Sequence, residues 1–252
     1  MDIIKNYFTE NECYKVGKRM KPIGIMVHST GANNPTLKRY CHNDDDNIIG
    51  VNKYGNHWNQ YRPDGRQVCV HGFIGLNNNG VVDVVQTLPW DMRGWHAGGT
   101  ANDGYIGFEI CEDNLKDKNY FNSVFNAAAM LCVYLCREYN INPSNIICHS
   151  EGRAKGIASN HADVMHWFPL HGESMDSFRD CVLNIMENHP PSETNPPVKQ
   201  DKKPLYRVRK VWSDAKTQIG AYENLDYAIA FCQASNPYSV YDENGKEVYP
   251  NS

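Results

Sequence analysis

Apolar residues alternate with small or polar ones along KPIGIMVHST, residues 21–30, which predicts a strand. Ile23, Ile25 and Val27 fall on one face and His28 on the other at the strand's exit. QVCVHGFI, residues 67–74, reads as a second strand. The turn chemistry of Asn77, Asn78, Asn79 and Gly80 then leads into a third, VVDVVQT. GYIGFEICE, residues 104–112, alternates so that Tyr105, Gly107 and Glu109 share a face, and NIICH, residues 145–149, is a further short strand. Between them, residues 120–139 carry Phe121, Val124, Phe125, Ala128, Leu131, Cys132 and Leu135 at helical spacing, which predicts a helix with a buried face. A last helix over 174–187 shows Phe178, Val182 and Ile185 on one stripe. Strands and helices interleave, so the expected fold is α/β, a mixed central sheet flanked by helices.

The pattern breaks over residues 188–204, NHPPSETNPPVKQDKKP, whose prolines and polar filler cannot collapse into a core and predict a semi-extended linker. It divides a large module, residues 1–187, from a small one, residues 205–252. The small module reads as strand, turn, helix, strand, strand: YRVRKVW alternates, Asn224 is placed to cap a helix bearing Leu225, Ala228, Ile229 and Cys232, and YSVYDENGKEVY folds back at Asn244-Gly245. It is a small α+β module with no ligand set of its own. Retention on a large substrate and self-association are the two roles open to it.

Composition narrows the function classes. The chain has 252 residues, with 25 Lys+Arg against 29 Asp+Glu, a formal net charge of −4. No basic run offers a footprint for nucleic acid. No stretch is apolar for long enough to be a transmembrane segment, and the N-terminus lacks the pattern of a secretory signal, so the chain is expected to be made in the cytoplasm of its host without crossing a membrane by the standard signal route. The 9 cysteines are odd in number and irregular in spacing, which points to free thiols rather than a disulfide framework.

His28 and His149 each close an apolar strand and each is followed by a polar or glycine turn, Ser29-Thr30-Gly31 and Ser150-Glu151-Gly152. Two histidines at strand exits suit a metal centre at one edge of a sheet, two imidazoles and a carboxylate being a known catalytic zinc set. On the residues alone the third ligand stays open among His161, Asp163, His166, Glu151 and Cys148. Glu109 sits between Phe108 and Ile110 in an apolar strand; it is either an edge-strand acid facing water or a carboxylate that takes a proton from a nucleophilic water. Trp95-His96-Ala97-Gly98-Gly99 reads as the wall of a shallow groove, with His71 as a further groove candidate.

These segments together resemble the zinc-dependent N-acetylmuramoyl-L-alanine amidases of the second amidase family, which includes phage lysins and peptidoglycan recognition proteins. The resemblance covers about residues 20–170. It rests on the order of Val27-His28-Ser29-Thr30-Gly31, Val70-His71-Gly72-Phe73-Ile74, Trp95-His96-Ala97-Gly98-Gly99, Ile106-Gly107-Phe108-Glu109-Ile110 and Ile147-Cys148-His149-Ser150-Glu151. It implies a zinc ion held by His28, His149 and Asp163, with Glu109 as the acid that orients or deprotonates water. His161 falls where the family carries a lysine near the developing oxyanion, and Val164 stands where the family has proline.

The implied activity is hydrolysis of the amide between N-acetylmuramic acid and L-alanine in bacterial peptidoglycan. A phage or prophage endolysin acting on the wall after release is the leading expectation. A bacterial autolysin, a non-catalytic recognition protein and a metalloenzyme acting on another amide are the competitors.

Overall fold

The computed structural model describes residues 2–44, 46–188, 205–222, 225–235 and 237–250. Most of the expected linker, and the capping position Asn224, lie outside the described residues. A six-stranded sheet is built from β1 (Ile3–Lys5), β2 (Gly24–Ser29), β3 (Gly72–Leu76), β4 (Val82–Gln86), β5 (Tyr105–Ile110) and β6 (Ile146–Cys148), in the order β1-β4-β3-β5-β2-β6. β3, β5, β2 and β6 run parallel, β4 is antiparallel to β3, and β1 is parallel to β4. The expected mixed α/β architecture is therefore what the chain adopts.

One face of the sheet receives Ile25, Val27, Ile74, Ile106, Phe108 and Ile110, the odd or even members of each strand that point the same way. The α-helix that covers them carries Phe121, Val124, Ala128 and Leu131; with a shorter N-terminal helix α1 (Glu12–Val16), it is α2 (Lys118–Tyr139) in chain order. Asp117 caps α2 by accepting from the Asn119 and Tyr120 N–H groups, and Asn140 ends it in the left-handed conformation. After the short α3 (His149–Ala154), α4 (Met175–Asn188) adds Phe178, Val182 and Ile185 to the same core. The opposite face is covered mostly by loops, through Phe8, Leu37, Tyr40 and Leu88 packed with Phe73 and Val85, and through Ala97 and Ala101 packed with Met26.

The C-terminal segment forms a four-stranded antiparallel sheet, β10-β9-β7-β8, from β7 (Tyr206–Arg209), β8 (Gly220–Tyr222), β9 (Ser239–Tyr241) and β10 (Glu247–Tyr249), with α5 (Leu225–Ala234) across it. Val208, Tyr222, Phe231 and Val240 join the same buried cluster as α2, and Asn126 Nδ2 donates to Ser235 Oγ at 2.9 Å.

Some expectations need correction. Ile23 is 54% exposed, because β2 begins at Gly24 and Ile23 only leans on the turn before β5. The strand expected over 67–74 starts at Gly72; Cys69 instead makes an isolated bridge to Trp95. β5 lies between β2 and β3, so Glu109 is not an edge-strand acid. The tail has a strand, β8, too short to show alternation in sequence.

His71 is 0% exposed and is not a groove residue. Its Nε2–H donates to the Met92 carbonyl at 2.7 Å and its Nδ1 accepts from the Gly107 N–H at 3.0 Å, so a neutral ring satisfies both contacts. Burial pushes its pKa down to about 4, against smaller opposing contributions from the Met92 and Gly107 backbone. The unfolded chain, with a histidine pKa of about 6.5, therefore binds a proton that the folded chain refuses between these values. Stability is complete above about pH 6.5 and should fall by roughly 3 kcal/mol as pH drops toward 4. The buried His28 and the half-buried His96 shift in the same direction and add to the slope. Melting temperatures recorded from pH 7 to pH 4 check this, and a flat profile would contradict the neutral, buried His71.

Candidate metal centre and its neighbouring carboxylate

Parallel register puts His28 on β2 directly beside Glu109 on β5, and Glu109 beside Phe73 on β3. All three therefore stand on the loop-covered face. β6 ends at Cys148, and the chain turns at once into α3, whose first residue is His149. Glu151 fixes this turn by accepting from the Cys148 N–H at 3.0 Å while Arg179 grips its carboxylate through Nη2 at 3.0 Å and Nη1 at 3.1 Å. Asp163 arrives from the segment between α3 and α4.

His28 Nδ1, His149 Nδ1 and Asp163 Oδ2 converge. The first two are 2.9 and 3.2 Å from the carboxylate oxygen and 3.3 Å from each other. The three residues form a group whose ligand atoms all lie within 4.8 Å of one another, a set able to hold a metal ion. The far sides of both rings decide which nitrogens carry protons. His96 Nε2 lies 3.1 Å from the Tyr105 carbonyl, which only accepts, so His96 must donate there and its Nδ1 must accept. The partner of that Nδ1 is His28 Nε2 at 2.9 Å, which therefore carries the proton and leaves His28 Nδ1 as a bare lone pair. Ser159 Oγ donates to the Ala97 carbonyl and so accepts from His149 Nε2 at 3.1 Å, which leaves His149 Nδ1 bare as well. Two nitrogen lone pairs and a carboxylate oxygen thus face one another, an arrangement that a cation satisfies and that neutral partners do not.

The electrostatics follow the same division. Burial lowers the His28 pKa, Asp163 only partly opposing it. Burial would raise that of Asp163, but the adjoining His149 and His28 rings outweigh it and hold the carboxyl well below its usual range. Glu109 moves the other way. Burial, then the nearby charges of Asp163 and Glu112, push its pKa well above the ordinary carboxylate value. Its Oε2 is enclosed and has no hydrogen-bond partner among the described residues. An enclosed, unpaired carboxylate oxygen beside a convergent donor set is expensive to maintain and marks a place where a further group belongs.

The other residues singled out in the sequence take distinct positions. His161 is exposed, its ring 4.7 Å from that of His149, and it is not a member of the convergent set. His166 is turned away onto Glu112 at 2.9 Å, and Glu112 also accepts from the Gly31 N–H at 3.0 Å, which ties the Asp163 segment to the loop leaving β2. Glu151 is spent on Cys148 and Arg179, and Cys148 Sγ lies 3.1 Å from Ser150 Oγ. His96 is half-buried and supports His28 from behind rather than lining an open wall; Trp95 is half-buried and bridges to Cys69. Sequence reasoning missed Ser159, and it missed why residue 107 is glycine: a Cβ there would lie 2.4 Å from His96 Nδ1, so only glycine lets that ring rest on β5.

The site's sequence has measurable relatives. The family model of the N-acetylmuramoyl-L-alanine amidases, Amidase_2, matches residues 18–166, which include every residue of the convergent set. The amidase CwlH of Bacillus subtilis strain 168 is 32% identical over 117 residues, 45% of this chain and 41% of that protein. The amidase XlyA of the same organism is 27% identical over 157 residues, 59% of this chain and 43% of that protein. The chain thus spans less than half the length of these two curated relatives. Among solved structures, the Staphylococcus aureus hydrolase AmiA superposes with a TM-score of 0.53 at 21% identity, covering 76% of this chain and 88% of that one. PlyL superposes at 0.51 and 22% identity, covering 72% and 97%. Both show a shared fold. With more than half of its length matched by the family model and the amidase fold around the site, the chain belongs to the N-acetylmuramoyl-L-alanine amidase family, Amidase_2.

Proposed function

We propose that the protein hydrolyses the amide joining N-acetylmuramic acid to L-alanine in bacterial peptidoglycan, using a zinc ion held by His28, His149 and Asp163. The observation that carries this reading is the convergence of two unprotonated imidazole nitrogens and a carboxylate oxygen, with their protons directed outward to His96 and Ser159. Zinc prefers such a nitrogen and oxygen set, with three protein ligands in catalytic centres. When bound, the ion supplies Lewis acidity toward a carbonyl and a lowered pKa for water.

The chain's own residues carry the proton movements. Glu109 takes the proton of the water that attacks the lactyl carbonyl, holds it on its otherwise unpartnered Oε2, and returns it to the departing L-alanine amine. His161, at the rim over His149, is placed to hydrogen-bond the carbonyl oxygen as charge grows on it. His96 and Ser159 keep the two ligand rings in the required tautomer, and Glu112 holds the two loops that bring Ser29 and Asp163 together.

The organisation proposed for the chain is a catalytic module over 1–187, a tether over 188–204, and a module over 205–252 that retains the enzyme on an immobile polymer by raising its local concentration. Retention of this kind suits an endolysin, with an autolysin of the same chemistry as the second reading. No helix among the described residues is long and apolar enough to cross a membrane. Digestion of purified peptidoglycan, followed by mass analysis of the products, tests the activity. Glycan strands stripped of peptide, with new L-alanine amino termini, are the expected outcome; new reducing sugar ends would identify a glycosidase instead.

A further inference from the structure

Every residue of α2 from Ala127 to Val133 is buried, so the helix is enclosed all round. The small module supplies part of that cover, through Val208, Tyr222, Phe231 and Val240 and through Ser235 on the buried Asn126. Toward the first turns of α2 the two surfaces part and leave a cavity of about 430 Å³. Its wall on the large module includes Leu76 at the end of β3, Val82 at the start of β4, and Asp117 and Tyr120. Leu76 and Val82 pack on the helix-covered side of the sheet, whereas His28 and Glu109 stand on the loop-covered side. The sheet therefore separates this cavity from the metal centre.

The opposite wall brings Lys210, Lys216, Gln218 and Tyr238. Three of these belong to a stretch of one-sided charge, residues 205–222, where Arg207, Arg209, Lys210 and Lys216 face a single acid, Asp214. None of the four cations makes an ion pair with a described residue. Asp214 caps its own turn, Oδ1 accepting from the Lys216 N–H at 3.0 Å. Burial and then the neighbouring Arg207 lower the pKa of Arg209, with Asp214 opposing less, so these charges repel one another without an adequate internal counterion. Among the residues lining the cavity the one acid is Asp117, which is engaged as the cap of α2 by the Asn119 and Tyr120 N–H groups. Arg209 donates to Gln218 Oε1 through Nε at 2.9 Å and Nη2 at 2.8 Å, which leaves that amide its Nε2 donor to offer. Lys216 is exposed, and Lys210 Nζ lies 5.3 Å from the centroid of the half-buried Tyr238 ring.

We infer that this cavity anchors the phosphodiester groups of an anionic polyol-phosphate polymer of the bacterial wall. The inference rests on the reading that the small module retains the enzyme on the wall, and it names the polymer held. Charge selects the class of ligand: two lysines without an acidic partner, joined by an amide donor, are answered by an anion and left unanswered by a neutral glycan. Size selects a polymer unit over a lone ion, since the volume lies within the about 300–1,000 Å³ of ordinary ligand sites and holds a phosphate with the polyol carbons beside it. Tyr238 offers those carbons a ring surface. Because both modules line the cavity, the polymer is gripped at the junction that the shared core already fixes, and the site on the far side of the sheet stays open to the strand being cut.

The test is calorimetric binding of poly(glycerol phosphate) by the full chain and by its Lys210→Ala/Lys216→Ala variant. The parent should bind the polymer with an affinity that weakens as salt is raised, and the variant should bind about 10-fold more weakly, the scale of two partly exposed charge-assisted contacts. Turnover on soluble muramyl-peptide and the melting temperature should match the parent's, since neither lysine touches the metal centre. Should the double variant melt lower, Lys216→Glu is read in its place, because that exposed position accepts a charge reversal without repacking and should weaken binding further. No binding by the parent, or binding that both variants leave intact, would overturn the assignment.

Sedimentation with purified walls, before and after hydrofluoric acid strips their phosphate polymer, separates this from failure of the retention reading. The parent should be retained on intact walls and released from stripped ones, and the variant should be held weakly by both. Retention of both proteins on both walls would leave the retention reading standing and overturn the role of the cavity. Retention on stripped walls that only the variant loses would give the cavity to the glycan and overturn the phosphate assignment. If neither protein is retained on any wall, the retention reading falls, and polymer binding lost in the variant still supports the anion site.

Discussion

Replacing Glu109 by glutamine should leave a folded, zinc-loaded protein whose turnover on soluble muramyl-peptide is reduced roughly 10²- to 10⁴-fold, the usual scale for removing a general base. The substitution keeps volume and hydrogen-bonding capacity, so the packing of β5 between β2 and β3 is undisturbed. It also removes a charge that the site raises in energy, since burial and the neighbouring Asp163 and Glu112 already oppose ionisation of Glu109. The variant should accordingly melt no lower than the parent. The base works only when ionised, so the parent's rate should fall as pH drops through the raised pKa of Glu109, and this acidic limb should be absent from the variant. Turnover, zinc content and melting temperature on one preparation decide the matter. Near-parental turnover in a folded, zinc-loaded variant would remove Glu109 from the mechanism.

Much of this arrangement was legible because it depends on strand alternation. His28 and Glu109 each follow an apolar run, so period-two reading put each on the face opposite the aliphatic core, and parallel register brought them together. His149 was legible for the same reason, at the end of IIC. What alternation does not carry is which strands are neighbours. Glu109 looked compatible with an edge strand, and only the order β3-β5-β2 encloses it. The roles of His71 and His96 were similarly hidden. Both are set by contacts across long stretches of chain, one ring satisfied by Met92 and Gly107, the other wedged between His28 and Tyr105. Ile23 misled because an isolated isoleucine before a glycine extends an alternating pattern whether or not the strand reaches it.

Val164 is instructive in another way. It replaces the proline that the family resemblance led one to expect after the acidic ligand, and its φ of 56° explains why proline is absent. Proline is locked near −65° and cannot adopt that conformation. A β-branched residue there is itself strained, and the strain is offset by complete burial of the Val164 side chain in the core and by its N–H donating to Ser29 Oγ at 3.3 Å. The 14-residue path from His149 to Asp163 thus ends in a turn that proline could not adopt and that still delivers the carboxylate to the two imidazoles.

That geometry makes Asp163 and His161 separable by experiment. Asp163 Oδ2 lies within 3.2 Å of both ligand nitrogens, so Asp163→Ala removes the only anionic member of the set and leaves His28 and His149 with lone pairs facing a smaller, uncharged gap. Zinc affinity should fall by more than the roughly 10- to 100-fold that loss of a supporting outer partner costs, and turnover should fall with metal content. His161 is exposed, and its ring lies 4.7 Å from that of His149. His161→Ala should therefore retain zinc at about one equivalent per chain while turnover drops by about 10²-fold, the scale for losing a donor to a developing oxyanion. Metal content after dialysis against a weak chelator, read beside turnover for both variants, distinguishes the roles. Zinc lost from His161→Ala and kept by Asp163→Ala would make His161 the third ligand. It would mean that the 159–166 segment rearranges on metal binding, with the exposed imidazole swinging inward past His149 and the carboxylate released toward solvent.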